Sequence, residues 1–290
     1  MATPAQWIEG ARPRTLPAAV APVLAGTGVA AYLDSAVWWK ALMALMVALA
    51  LQVGVNYAND YSDGIRGTDA ERVGPLRLVG SGAASASAVK MAAMGSFGVA
   101  AFFGLVLAVT TAWWLVLVGL VSIVAAWYYT GGRKPYGYMG LGEVMVFIFF
   151  GLVAVMGTTY VQTMSLPLAS FFAAVGVGAL ACAILVANNL RDVPTDREVG
   201  KRTLAVVLGD EHTRYFYSFL VGVALIALLG TALVTSWLAL LGVAFLVPGV
   251  AAVRTVLGGT TGRALVPVLQ KTGTAELLYA AGMSLGLLIA

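Results

Sequence analysis

The stretch LASFFAAVGVGALACAILVANNL, residues 168–190, carries no charged side chain and runs directly into RDVPTD, residues 191–196. About 20 apolar residues in helical conformation cross the hydrocarbon core of a bilayer. The stretch therefore predicts a transmembrane helix that ends on an acidic, polar tail. Small residues dominate its middle, which suits close approach of helices in lipid, where packing drives association.

Outward from it, the chain repeats the pattern. Apolar runs of similar length cover roughly 16–33, 37–58, 86–109, 111–130, 141–160, 215–234, 237–256 and 275–290, making about nine in all. They are continuous and lack the alternation of barrel strands, so an all-α polytopic membrane protein is expected, about nine helices around a central cavity. Of 290 residues, 60% are hydrophobic and 10% charged, and mean hydropathy is +0.91. Soluble domains carry roughly a quarter charged residues, so a water-soluble enzyme, a disordered tail and a fibrous repeat are poor fits. Residues 1–290 read as one transmembrane domain. Cys182, the only cysteine, rules out an intrachain disulfide and reads as a small buried hydrophobe.

Sixteen of the 17 Lys and Arg fall at the N-terminus or on every second connection and its flanking helix ends, and only Lys40 falls on the other side. The positive-inside rule then puts the N-terminus and the long connections in the cytoplasm. Trp38, Trp39, Trp113, Trp114 and Trp237 fall at the predicted outer ends, as an aromatic belt does. Arg12 and Arg14 ahead of an apolar run imitate a secretory signal, but eight further runs favour a retained helix preceded by a short interfacial one with Trp7 and Ile8. The net charge of +4 is a topology signal and a contact with anionic lipid, with no implication of nucleic acid.

The acids are unevenly placed. Nine of thirteen occupy two connections: Asp60, Asp63, Asp69 and Glu71 after the second run, and Asp192, Asp196, Glu198, Asp210 and Glu211 after the sixth. If the second run stays helical, Asn56 with Asp60 and Asn59 with Asp63 are i,i+4 neighbours. Asn188, Asp192 and Asp196 follow the same step, with Pro194 the obstacle to the last turn. Each stretch has Asn, three residues, Asp, then a second Asp, followed by a basic loop. That crude duplication suggests two acidic sites facing one another across a cavity.

Two carboxylates about 6 Å apart repel by roughly 3 kcal/mol at an effective dielectric near 20, so a gathering of four calls for a counter-cation. Carboxylate and amide oxygens are hard ligands suited to Mg²⁺, which takes one or two carboxylates and fills its other positions with water and phosphate. Arg66, Arg72, Lys134, Arg191, Lys201 and Arg202 lie near the same surface, and the combination fits a diphosphate bridged by metal. The bland alternative is a pair of solvated loops.

These residues resemble the UbiA-type intramembrane prenyltransferases, over nearly the whole chain. Arg12-Pro13-Arg14-Thr15-Leu16-Pro17 is similar to the family's opening. Asn59-Asp60-Tyr61-Ser62-Asp63 and Gly64-Ile65-Arg66-Gly67-Thr68-Asp69, with Gly74-Pro75-Leu76-Arg77 downstream, resemble its first acidic motif. Tyr129-Thr130-Gly131-Gly132, Arg133-Lys134 and Gly140-Leu141-Gly142-Glu143 resemble its middle loop. Asn188-Asn189-Leu190-Arg191-Asp192, then Asp196, Gly200-Lys201 and Thr203-Leu204-Ala205-Val206, resemble its second motif. Asp63 and Asp69 stand six apart where the general pattern has four, a spacing similar to the branch that prenylates 1,4-dihydroxy-2-naphthoate in menaquinone (vitamin K2) biosynthesis.

The resemblance implies that Asp60, Asp63, Asp69, Asp192 and Asp196 hold Mg²⁺, the catalytic set being these without Asp69. It implies that Asn59, Arg66, Lys134, Arg191 and Lys201 bind the diphosphate of a polyprenyl diphosphate. Arg12, Asn56, Tyr129 and Asn188 are the candidates for the aromatic acid, and Asp196 or a tyrosine for a phenolic proton. The implied products are demethylmenaquinone, CO₂ and pyrophosphate, and the implied location is a bacterial plasma membrane, in keeping with the lack of a transit peptide. Oligomeric state stays open. Tyr128, Tyr136 and Tyr138 are interfacial tyrosines that also frame an aromatic substrate in this reading; Glu143 is assigned to a helix N-terminus and His212 to a solvated loop.

Three rivals stand beside it. A cation-coupled transporter also uses intramembrane carboxylates, but at mid-depth, without interleaved Lys and Arg. A CDP-alcohol phosphotransferase needs its aspartates on one segment, with Ala-Arg after Asp-Gly. Another aromatic acceptor, 4-hydroxybenzoate or homogentisate, is compatible with the same motifs.

Overall fold

The computed structural model describes residues 2–67 and 76–290, and every regular element among them is helical. A short α1 (Pro4–Gly10), opened by a Thr3/Gln6 capping box, leads through a left-handed Arg12 (φ 55°) into α2 (Pro17–Tyr32). Then come α3 (Trp38–Arg66), α4 (Ala86–Thr110), α5 (Leu115–Tyr128) and α6 (Gly142–Thr163). The remainder is α7 (Leu168–Glu198), the single turn α8 (Leu204–Leu208), α9 (Asp210–Val234), α10 (Trp237–Leu257) and α11 (Val266–Leu288).

All nine apolar runs are helical, yet not all are spans by length and apolarity. Among the described residues six helices meet that measure, α3, α4, α6, α7, α9 and α10, and α1 with α2 makes a seventh when their 48° bend is counted as one broken span. The expectation of about nine exceeds this for physical reasons: α5 has 14 residues, below the length a bilayer needs, and α11 carries Lys271 and Glu276. The chain is a multi-pass membrane protein.

The decisive stretch lies at the centre. In α7, 72% of the apolar window is buried, against 28–44% for the other five spans. It packs on α2, α6, α9 and α11 around a core of small side chains such as Ala173, Ala174, Ala179 and Ala183. The helix continues through Pro194 to Glu198, so the i+4 spacing of Asn188, Asp192 and Asp196 survives.

A second cluster joins α3 and α4 around Tyr57, Ala58, Val89 and Phe97 and takes in Leu78 from the connection between them. Helix α3 also continues past its apolar run to Arg66, ending at Gly67 with φ 72°. Between the two clusters lies an apolar cavity of about 330 Å³ lined from α2, α3, α4, α5 and α6. Its α6 wall includes Phe149, Phe150 and Val153, from a π-helical stretch, Phe147–Met156; such stretches recur at functional sites.

Candidate active site

Asp60, Asp63, Asp192 and Asp196 are 1%, 4%, 5% and 6% exposed, so the solvated-loop reading fails for these four. A buried carboxylate needs partners, and each has them. Asp60 accepts the backbone N–H groups of Leu78 and Val79 at 2.7 and 3.0 Å. Asp63 accepts from the Tyr138 hydroxyl at 2.7 Å and pairs with Arg77 at 3.2 Å. Asp192 is gripped by its neighbour Arg191, Nε to Oδ1 at 2.6 Å and Nη2 to Oδ2 at 2.7 Å. Asp196 pairs with Lys201 at 3.5 Å and accepts from Thr203 at 3.4 Å.

The other residues expected from the sequence divide. Asn59 is buried and accepts from Thr130 at 2.7 Å, while Arg66 donates to the carbonyls of Thr130 and Gly132. Arg191 also donates to Asn188 Oδ1 at 2.9 Å. Lys134 stands exposed on the middle loop. Asp69 lies outside the described residues.

The candidates for the aromatic acid do not converge on one point. Asn56 donates to the Ala11 carbonyl and to Thr15 Oγ1, both at 2.9 Å, and Gln52 donates to the same Oγ1 at 2.9 Å. These bonds pin the N-terminal segment, Arg12 included, across one end of the cavity. Asn56, Asn59, Tyr129 and Tyr136 all line that end, so the apolar channel finishes in polar groups one turn from Asp60. Tyr136 donates to the Ala125 carbonyl at 2.7 Å, and burial pushes its hydroxyl well above the usual tyrosine range.

Thr130 and Arg77 stand in stretches that the resemblance singles out, but their bonds to Asn59 and Asp63, and those of the Leu78 and Val79 amides to Asp60, have no signal in the sequence. Tyr138, one of three tyrosines on its loop, touches both acidic segments, because Arg66 and Lys201 stand 5.4 and 5.2 Å from its ring centre. Glu143 is buried at the start of α6, as a helix N-terminus favours, and also accepts from Asn189 at 2.9 Å.

Among the described residues no three Asp, Glu, His or Cys side chains gather as a ready-made metal cage. Mg²⁺ requires only one or two carboxylates when phosphate oxygens and water complete its shell. Four buried carboxylates in two pairs, with Arg and Lys beside them, fit that mode of binding.

The chain is similar to several known proteins. The sequence profile described as the UbiA prenyltransferase family matches residues 19–264. The chain is 55% identical over 280 residues to a Mycobacterium tuberculosis protein named 1,4-dihydroxy-2-naphthoate octaprenyltransferase, covering 97% of this chain and 96% of that one. It is 37% identical to an Escherichia coli protein of the same name, over 94% and 91% of the two chains. Among solved structures, a UbiA homologue from Archaeoglobus fulgidus bound to GPP and Mg²⁺ matches with a TM-score of 0.70 at 13% identity, over 98% of this chain and 100% of that one. Likeness at that identity speaks to the fold alone.

Proposed function

The chain belongs to the UbiA prenyltransferase family, and from that premise we propose that it transfers a polyprenyl group from polyprenyl diphosphate to 1,4-dihydroxy-2-naphthoate, with loss of CO₂, in menaquinone biosynthesis. The observation that carries the reading is the apolar cavity whose polar end, at Asn56 and Asn59, lies one helical turn from the buried Asp60. The bacterial relatives bearing the octaprenyltransferase name support the naphthoate and an eight-unit donor. We read residues 1–290 as one domain of about nine transmembrane helices, the short α5 and the charged α11 counted with the other seven spans, in a bacterial plasma membrane, the acidic end facing the cytoplasm.

Asp60, Asp63, Asp192 and Asp196, with Asp69, would hold Mg²⁺, which when bound supplies charge neutralisation for the departing diphosphate. Arg191, Lys201, Arg66, Lys134 and Asn59 donate to phosphate oxygens, the guanidinium groups as forks and Lys as a point charge. The apolar walls from α2 to α6 hold the prenyl chain and keep water from its allylic carbon.

The naphthoate, held by Asn56 and Tyr129 at the polar end, with Arg12 on the segment pinned across that end and Asn188 beside Arg191, presents its carboxylate-bearing ring carbon to that allylic carbon. The prenyl C–O bond breaks, the ring C–C bond forms, and the carboxylate leaves as CO₂ with its electron pair returning to the ring. The balance needs no net proton acceptor, so this scheme gives neither Asp196 nor a tyrosine the duty of general base.

Membranes containing the chain, incubated with 1,4-dihydroxy-2-naphthoate and octaprenyl diphosphate with and without Mg²⁺, test the reading. Metal-dependent appearance of CO₂ and of the prenylated naphthalenediol, read as its quinone after air oxidation, is expected. Turnover with 4-hydroxybenzoate alone would discard the naphthoate, and cation flux without prenyl transfer would favour the transporter.

A further inference from the structure

Tyr138 is the side chain on which the two acidic segments meet. Its hydroxyl donates to Asp63 Oδ1 at 2.7 Å, Arg66 stands 5.4 Å from its ring centre and Lys201 5.2 Å. Lys201 is in turn paired with Asp196. One tyrosine thus touches a carboxylate and a cation of the first segment and a cation of the second.

Its own position is fixed from several sides. The preceding Gly137 N–H donates to the Tyr129 carbonyl at 3.0 Å, and the Tyr138 carbonyl accepts from the Arg202 N–H at 3.1 Å. A Cβ on Gly137 would come within 2.6 Å of the Tyr129 carbonyl oxygen, so only glycine allows the turn to seat so closely. Two residues earlier in the turn, Tyr136 is tied to Ala125. A ring held this firmly is a platform rather than a passenger.

Two cations near one ring repel each other, and the negative ring face offsets part of that repulsion. We infer that Tyr138 is a positioning residue: its ring presents Arg66 and Lys201 to the diphosphate of the prenyl donor, and its hydroxyl fixes the orientation of Asp63. This rests on the prenyl-diphosphate reading above and assigns separate duties to the two halves of one side chain.

The test uses the full chain in detergent, with geranyl diphosphate and Mg²⁺ but no aromatic acceptor, so that binding is read by calorimetry without turnover. Unfolding temperature and steady-state transfer are measured alongside. Tyr138→Phe keeps the ring and is expected to bind within about twofold of wild type, while kcat falls by about tenfold through the lost bond to a charged group. Tyr138→Leu removes the ring as well and is expected to weaken binding by about tenfold. Tyr138→Trp restores the platform without the hydroxyl and returns binding to near wild type with kcat still low.

Equal binding by the Phe and Leu variants, or a folded Trp variant that binds as poorly as Leu, would overturn the inference. Should the Leu variant fail to fold, a Phe or Trp variant with wild-type kcat, or with impaired binding, does the same. A wild-type chain that binds the diphosphate yet transfers it to no acceptor overturns the reaction instead, and leaves the binding comparison to decide on Tyr138.

Discussion

The two acidic segments read alike in sequence and are held in opposite ways. The acids at the end of α3 are fastened by groups from elsewhere: the 78–79 amides and Arg77 from the next connection, and Tyr138 from a loop 75 positions away. Those at the end of α7 find partners within seven positions, in Arg191, Lys201 and Thr203. The first site is assembled by the tertiary fold, whereas the second carries its counter-ions on its own stretch of chain. Asp60, moreover, is met by amide dipoles, while Asp192 already faces a full positive charge.

Removing a charge from either segment tests whether they act as one site. Asp60→Asn and Asp192→Asn should each lower prenyl transfer by about 100-fold or more, the scale on which loss of one electrostatic stabiliser acts, measured as prenylated quinone formed in membranes. Chelation of divalent metal should abolish transfer in wild type, with recovery on adding Mg²⁺. A substantial residual rate in one aspartate variant alone would show that the two segments are not equivalent partners.

Arg191→Gln bears on the local character of the second segment. It leaves a buried Asp192 without its fork and should destabilise the fold by about 3 kcal/mol, read as a lower unfolding temperature, with part of the loss recovered by Mg²⁺. Arg77→Gln should cost less, since Asp63 keeps Tyr138.

Gly64→Ala probes the non-local character of the first segment. A Cβ there would lie 2.5 Å from Val79 Cβ, forcing back the segment whose amides hold Asp60. A roughly tenfold drop in transfer is expected, on the scale of one hydrogen bond to a charged group, with Arg191 and its partners undisturbed. The smallest effect belongs to His212, exposed near the start of α9. His212→Ala should leave transfer within about twofold and stability within about 0.5 kcal/mol.

Much of this was legible because lipid imposes simple demands. Uncharged runs of about 20 residues are helices, and both edges of α4 and α10 and the start of α7 follow the sequence closely. The i+4 steps of Asn and Asp were readable once α3 and α7 were known to continue past their apolar runs. Pro194 argued for an earlier stop, but α7 absorbs the lost backbone bond and keeps Asp196 in register. The number of true spans was less legible, since α5 is helical over only 14 residues. The partners of Tyr138 and Thr130 were unreadable for another reason: they lie 75 and 71 positions away, with no periodicity to signal them.

The chain's 34 glycines look interchangeable on paper, yet they divide sharply in space. A methyl group on Gly286 would fall 1.9 Å from the Leu238 carbonyl oxygen, and one on Gly282 2.5 Å from that of Leu241. There α11 lies backbone against backbone on the 3₁₀ start of α10, Trp237–Phe245. Around Gly95, Gly98 and Gly119 nothing stands within 4 Å. A library of random variants selected for survival should therefore be blank at the first pair and crowded at the other three, marking the α10–α11 seam, remote from the acids in sequence, as the least negotiable part of the scaffold.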